Sequence, residues 1–246
     1  MNTRQQDIIN LLEHNGEMTI KAMSETLNVS AMTIHRDLDY LEEQHYLYKK
    51  RGAAVFINAP DRRKEKFYAD EKRIIGKCAA SFIKQGQSIL FDNSTTALEA
   101  ARCLNGIPNL TFYTTNLEAA AILAGYPNTI LYCSGGYYFA DSKGFVGSQA
   151  EAFVDGIHAD ICIIGASGID IHAGITNPYP MHTALQRKII ESSTVRLLLA
   201  DHSKFGKKAM EKAADLSEID RIITDKGLPE SILAEYSLYV DIVTAE

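Results

Sequence analysis

What the chain lacks narrows its chemistry first. It has four cysteines in 246 residues, Cys78, Cys103, Cys133 and Cys162, widely spaced, with no CxxC pair and no nearby Cys/His cluster. That pattern excludes the common zinc motifs and a disulfide scaffold, and it predicts buried, reduced thiols of a cytoplasmic protein. No metal and no cofactor is expected. No apolar run approaches the ~18 residues of a membrane span, so no membrane partner is expected either. The opening MNTRQQDIINLLEHNG has no continuous apolar core, and so reads as an amphipathic helix rather than a signal peptide. Internal repeats and low-complexity tracts are missing. Excess positive charge is missing too: the formal net charge is −6. Its distribution matters more than its sum. Residues 1–66 hold ten basic and ten acidic residues, which leaves 25 − 10 = 15 basic and 31 − 10 = 21 acidic residues for the remainder. All the excess acid belongs to the C-terminal part, and the global charge neither supports nor opposes a nucleic-acid partner.

What is present begins with three helical patterns. Ile8, Leu11 and Leu12 repeat at helical spacing until Gly16, a residue suited to ending a helix. A short second helix over 20–27 presents Ile20, Met23 and Leu27. After the turn Asn28-Val29, Ser30 is a good N-cap for a third helix from Ala31 to about Gln44, with Ile34, Leu38 and Leu41 as its core stripe. YLYKKRGAAVFI then reads as a β-hairpin with a basic, glycine-containing tip. Asn58–Lys66, with Pro60 and six charged residues, reads as a linker, or as a linker running into a helix.

This arrangement predicts a winged helix-turn-helix that holds double-stranded operator DNA. Ala31, Met32, Thr33, His35 and Arg36 lie off the core stripe, at the end where the helix dipole favours phosphate. Arg36 suits a bidentate contact to guanine, and Ala31 and the Thr33 methyl suit a thymine methyl. Lys49, Lys50, Arg51 and Gly52 form the tip expected to meet phosphate or the minor groove. Asp37, Asp39, Glu42 and Glu43 are expected to face the first two helices or solvent. Spacing alone is also compatible with a three-helix domain bearing an ordinary charged surface and a solvated basic turn.

The segment VSAMTIHRDLDYLEEQHYLYKKRGAAV resembles the signature of the DeoR family of bacterial transcription regulators. The match runs through Val29, Ser30, Thr33, Ile34, Arg36, Asp37, Leu38, Leu41 and Glu42. His35 replaces the family's usual first arginine, and Arg51-Gly52-Ala53-Ala54 replaces its usual His-Gly-Gly-Ala. The resemblance extends over nearly the whole chain. It implies a C-terminal domain similar to ribose-5-phosphate isomerase that binds sugar phosphates.

The C-terminal residues themselves alternate strand-like runs (88–91, 110–114, 129–133, 160–165, 195–200, 221–224, 238–243) with helical stretches (96–104, 117–124, 148–156, 182–193). Such alternation predicts a mostly parallel sheet with helices on both faces. The fold class is therefore α/β with an N-terminal winged helix-turn-helix. We expect DNA binding over 1–57, a linker over 58–72 and a sensor and oligomerisation domain over 73–246.

Ligands of such sheets bind beyond the carboxyl ends of the strands. Asp92, Asn93, Ser94, Thr95 and Thr96 form a polar turn opening a helix, which suits an anion. It aligns with the family's Asp-x-Gly-Thr-Thr turn, with Ser94 in place of glycine. Thr115 and Asn116 end the next strand, and Gly135-Gly136 end a third. Asp170, in GASGID, and Lys204, with Asp201 and Ser203 in the family's Asp-x-Ser-Lys-Phe-Gly run, are further candidates for sugar hydroxyls and phosphate. Each turn taken alone reads equally as helix capping, and Asp201 with Lys204 equally as a structural pair.

Ribose-5-phosphate isomerases resemble one another in an Asp-Gly-Ala-Asp-Glu cluster. Here GASGIDIHAG has Asp170 as its sole carboxylate, and His182 stands where these regulators tend to carry glutamate. No catalytic residue is expected, neither His182 nor His172. The reading is a repressor of a sugar-catabolism operon, a dimer or tetramer, released from its operator by a phosphorylated sugar. An isomerase-like enzyme with an attached DNA-binding module and a pure oligomerisation domain remain the alternatives.

Overall fold

The computed structural model describes residues 3–43, 46–56 and 68–246. The chain divides into two compact units, residues 1–67 and 68–246. In the first, helix α1 (Thr3–Asn15) is followed by strand β1 (Glu17–Thr19), α2 (Ile20–Leu27), α3 (Ala31–Glu43), β2 (Leu47–Lys50) and β3 (Ala53–Phe56). Gly16 ends α1 at φ 72°, a left-handed position, and its N–H closes on Leu12 O at 2.7 Å. Thr19 caps α2 through Ala22 N (3.1 Å), and Ser30 caps α3 through Thr33 N (3.2 Å). Ile8, Leu12, Met23, Ile34, Leu38, Leu41 and Leu47 are fully buried and form one core. The wing has a third strand that the sequence does not announce: β1 pairs with β3, giving the order β1-β3-β2. Gln44, the expected end of α3, lies outside the described residues.

The second unit opens with α4 (Ala69–Ala80), and this corrects the expected linker over 58–72. Residues 57–67 lie outside the described ones, and 69–72 are helix. Lys72 is buried and Ile75 and Ala79 pack in the core, so this segment belongs to the domain.

Then follow β4 (Ser88–Phe91), α5 (Thr95–Arg102), β5 (Thr111–Thr114), α6 (Leu117–Leu123), β6 (Ile130–Cys133), β7 (Tyr137–Phe139), β8 (Gly144–Val146) and α7 (Ser148–Asp155). Next come β9 (Ala159–Ile164), β10 (Gly168–Asp170), β11 (Gly174–Asn177), α8 (Pro180–Glu191), β12 (Ser193–Leu199), β13 (Glu211–Ala214), β14 (Arg221–Thr224), α9 (Glu230–Tyr236) and β15 (Asp241–Thr244). The strand expected at 238–243 begins later, because 236–240 finish and leave α9.

Seven strands form one wholly parallel sheet in the order β15-β14-β12-β9-β4-β5-β6. The apolar β4, β9 and β12 are its centre, buried on both faces. Helices α4, α5 and α6 cover one face, and α7, α8 and α9 the other. The chain runs outward from β4 through β5 to β6, then returns to β9 on the other side of β4. The switch point of the topology therefore lies between the carboxyl ends of β4 and β9. A small antiparallel sheet, β10-β11-β13, and the hairpin β7–β8 complete the unit. These short antiparallel pieces and α9 are absent from the sequence expectation, and α4 enters it only as the helix that the 58–66 segment could run into.

Cys162 is buried, and burial pushes its thiol up to about 12. Cys78 and Cys103 are half-buried, whereas Cys133, expected inside, is exposed on the edge strand β6.

Candidate functional site

In the first unit, the buried stripe of α3 leaves Ala31, Met32, His35 and Arg36 on the exposed side, with Met32 67% exposed. Ser30 and Thr33 face each other, hydroxyl to hydroxyl at 2.9 Å, so both serve the helix start. Asp37 turns the other way. It is buried and accepts from the guanidinium of Arg4 and from Gln5 Nε2 (3.2 Å), which fixes α3 on α1.

The wing departs from expectation in its charge. Lys49 Nζ pairs with Asp39 and, at 3.2 Å, with Glu42; its backbone N–H donates to Glu42 Oε1 at 2.7 Å. Burial works against the Lys49 charge, but the hydrogen bonds to Asp39 and Glu42 outweigh it and raise its pKa. Lys50 Nζ pairs with Glu17 at 2.9 Å. Two of the three expected phosphate-contacting cations are thus already neutralised within the domain. Arg51 and Arg36 are exposed and make no ion pair with the described residues. Gly52, at φ 76°, turns the tip, and its carbonyl accepts from Ile20 N at 3.0 Å.

In the second unit, the loops after β4, β5, β6, β9 and β12 all leave the same edge of the parallel sheet. Asp92 follows β4 and is the knot of this edge. Its Oδ1 accepts from Ser94 N (2.8 Å), and its Oδ2 accepts from Gly165 N (2.8 Å) and Gln186 Nε2 (3.1 Å). Gln186 also donates to Gly165 O (2.7 Å) and accepts from Asn177 Nδ2 (2.7 Å). Burial raises the pKa of Asp92 against the pull of these donors. Asp92 therefore ties β4 to β9 at the switch point, with both carboxylate oxygens engaged by the protein. Gly165 is required there: a Cβ would fall 2.4 Å from Ser94 Cβ. The sequence reading missed Gln186 and Asn177; the polar Gln186 on the apolar stripe of Leu185, Ile189 and Ile190 was the available signal.

Asn93 is also engaged. Its Oδ1 accepts from Thr115 Oγ1 (2.7 Å), and its Nδ2 donates to Phe145 O in β8 (3.2 Å). Ser94 caps α5 through Ala97 N at 3.0 Å. Thr95 is half-buried in the first turn, Thr96 is buried, and neither hydroxyl bonds to a described residue. Asn116 caps α6 through Glu118 N and Ala119 N. Gly135 is exposed with open space around it, and Gly136 sits at φ 127°.

Asp170 also departs from expectation: it serves its own hairpin, accepting from His172 N (2.9 Å), Ala173 N (2.7 Å) and Lys208 Nζ (3.2 Å). Lys204 is half-buried in a short turn over 202–204, capped by Asp201 through Ser203 N at 3.0 Å. His202 Nδ1 meets Asp225 Oδ2 at 2.7 Å, a pairing that was not anticipated. His182 sits in the first turn of α8, one turn before Gln186. Its Nε2 lies 3.1 Å from Ser142 Oγ, and its ring packs edge-on against Phe139. Three buried side-chain oxygens have no partner among the described residues: Ser134 Oγ, Asp201 Oδ2 and Thr224 Oγ1. All three lie at or just past carboxyl ends of parallel strands, β6, β12 and β14.

Two family models match: the DeoR-like helix-turn-helix domain over residues 4–59, and the DeoR C terminal sensor domain over residues 68–226. The chain is 32% identical over 230 residues to the transcriptional repressor AccR of Agrobacterium fabrum, covering 91% of this chain and 89% of the relative. It is 30% identical over 234 residues to the glycerol-3-phosphate regulon repressor of Escherichia coli, covering 94% and 93%. Ribose 5-phosphate isomerase A of Methanocaldococcus jannaschii overlaps 56% of this chain and 55% of its own, at 18% identity and a TM-score of 0.41. On the strength of the two matched domains and these full-length relatives, the chain belongs to the DeoR family of DNA-binding transcription regulators.

Proposed function

We propose that the protein is a repressor of a sugar-catabolism operon that a phosphorylated sugar releases from its operator. Arg36 and the exposed start of α3 read bases, while Arg51 contacts phosphate. The sugar binds beyond the carboxyl ends of β4, β5 and β6, and the second unit pairs protomers so that two first units address repeated half-sites. The observation that carries the sensor reading is the first turn of α5. It opens at the β4–β9 switch, and its Thr95 hydroxyl makes no hydrogen bond to the described residues. The name of the E. coli relative, a regulon repressor for a three-carbon phosphate ester, agrees with this ligand class.

An isomerase reading needs a general base beside the substrate. The carboxylate offered for it, Asp170, is occupied by its own turn and Lys208.

The test is operator binding by fluorescence anisotropy with a sugar-phosphate panel, on the wild type and Thr95→Glu. Release by one phosphate ester, lost in Thr95→Glu with operator affinity kept, supports the reading. Turnover of a ligand would establish an enzyme instead. Silence across a broad panel would leave an oligomerisation domain.

A further inference from the structure

The start of α7 lacks the side-chain cap that α5 and α6 have. Ser94 caps α5 and Asn116 caps α6, but Gly147 precedes α7 at φ 85° and offers no side chain. The N–H groups of Ser148, Gln149 and Ala150 make no hydrogen bond to the described residues. Three adjacent donors at the positive end of a helix attract an anion.

The second observation is Ser134. Its residue exposure is 3%, and its hydroxyl has no partner among the described residues. Its direction follows from the strand. Ser134 N donates to Thr114 O, continuing the β5–β6 ladder by one residue, so Ser134 points to the same face as Tyr132. Tyr132 stacks on Tyr113 at 5.1 Å, and Tyr113 packs against Phe153 of α7. Two residues on, Gly136 approaches α7 so closely that an added Cβ would lie 3.3 Å from Ala150 N and 3.0 Å from Val146 O. The buried hydroxyl is thus aimed at the uncapped first turn, and exposed Gly135 leaves open space beside it. Asn93 reaches Phe145 O, two residues before Gly147, so this turn borders the same crevice as α5.

We infer that Ser134 Oγ and the amides of Ser148–Ala150 form a second anion subsite, for a phosphate or carboxylate group. The effector is then doubly anionic: a bisphosphorylated sugar or a phosphorylated sugar acid. This rests on the proposed function only in naming the effector; the subsite stands on its own geometry.

The test is amide NMR of the full chain titrated with inorganic phosphate to about 20 mM, the range of a weak anion site. Shifts at Ser148, Gln149 and Ala150 are expected. Ser134→Ala should weaken them about fivefold, the worth of one hydrogen bond, and leave any shift at Thr95 and Thr96 unchanged. Gln149→Glu, at an exposed position, should abolish them by repulsion with the fold intact. No shift at 148–150, or shifts indifferent to Ser134→Ala, overturns the subsite, the latter meaning an ordinary helix terminus. Shifts at 148–150 without any at Thr95 and Thr96 would support the subsite and overturn the effector turn of α5.

Discussion

Gln186 on α8 donates to Asp92 Oδ2 at 3.1 Å, so a side chain from the middle of a helix holds the loop that opens the sensor crevice. Burial raises the pKa of Asp92, so the folded state binds its proton more tightly than the unfolded chain does. Its contribution is therefore largest below the unfolded value of about 3.9 and declines as pH rises through the folded value. Urea unfolding of wild type and Asp92→Asn between pH 4 and 7 should show the wild type losing stability relative to the variant as pH rises. A pH-independent difference would mean that Asp92 does not titrate in this range.

Gln186→Glu places a second carboxylate against Asp92 and the Gly165 carbonyl. Leaving buried acceptors without donors costs about 1–3 kcal/mol. A Tm lowered at pH 7, with the loss shrinking toward pH 5, is the expected result.

In the DNA-binding unit, Arg36 of α3 and the wing cations Arg51 and Lys49 should not behave alike. Arg36→Ala should weaken specific operator binding by about 1–3 kcal/mol and relax base preference. Arg51→Ala should weaken all sequences and lower the salt slope by about 0.9. Lys49→Ala should do far less, because Asp39 and Glu42 already hold that charge. Anisotropy titrations at several KCl concentrations separate the three; equal slopes for Arg51→Ala and Lys49→Ala would reject the assignment.

Gly144 is packed where a Cβ would lie 2.2 Å from Asn93 Oδ1. Gly144→Ala should dislodge Asn93 from Thr115 and Phe145, lowering Tm by the equivalent of about 1–3 kcal/mol. Gly52→Ala meets open space but keeps a positive φ, so its cost should stay near 1 kcal/mol. Thermal melts of the two variants check the ranking.

Alkylation of the native protein should label Cys133 first and Cys162 only on unfolding, given their exposed and buried positions. Peptide mass mapping after timed iodoacetamide treatment reads this directly.

The helices and parallel strands were legible because their signals are local. Ile34, Leu38 and Leu41 mark a helix face, and SILF or RIIT a doubly buried strand. The short antiparallel pieces were not legible. β1 is three residues long and pairs with β3 more than thirty residues on, while β7 with β8 and β10 with β11 are hairpins of three- and four-residue strands, too short to show a period. α4 was hidden by its charged sequence ADEKR, which reads as a linker until the burial of Ile75 and Ala79 is seen. In the site, sequence located the turns but not their duties. Asp92, Asn93 and Asp170 carry ligand-type groups that the fold spends on itself, and nothing in residue type distinguishes a carboxylate that binds sugar from one that binds Gly165 N–H. The wing shows the same limit, since the partners of Lys49 and Lys50 lie on other elements.

The bonds of Asn93 to Thr115 and Phe145 have a thermodynamic corollary. A ligand that recruits this amide must first release it, so contact there is an exchange of hydrogen bonds and adds none. Such a trade yields little affinity, but it loosens β8 from the strand ends in the same act. Under the proposed sensing, occupancy and rearrangement would then be one event, and a ligand too small to claim Asn93 would fill the site without effect.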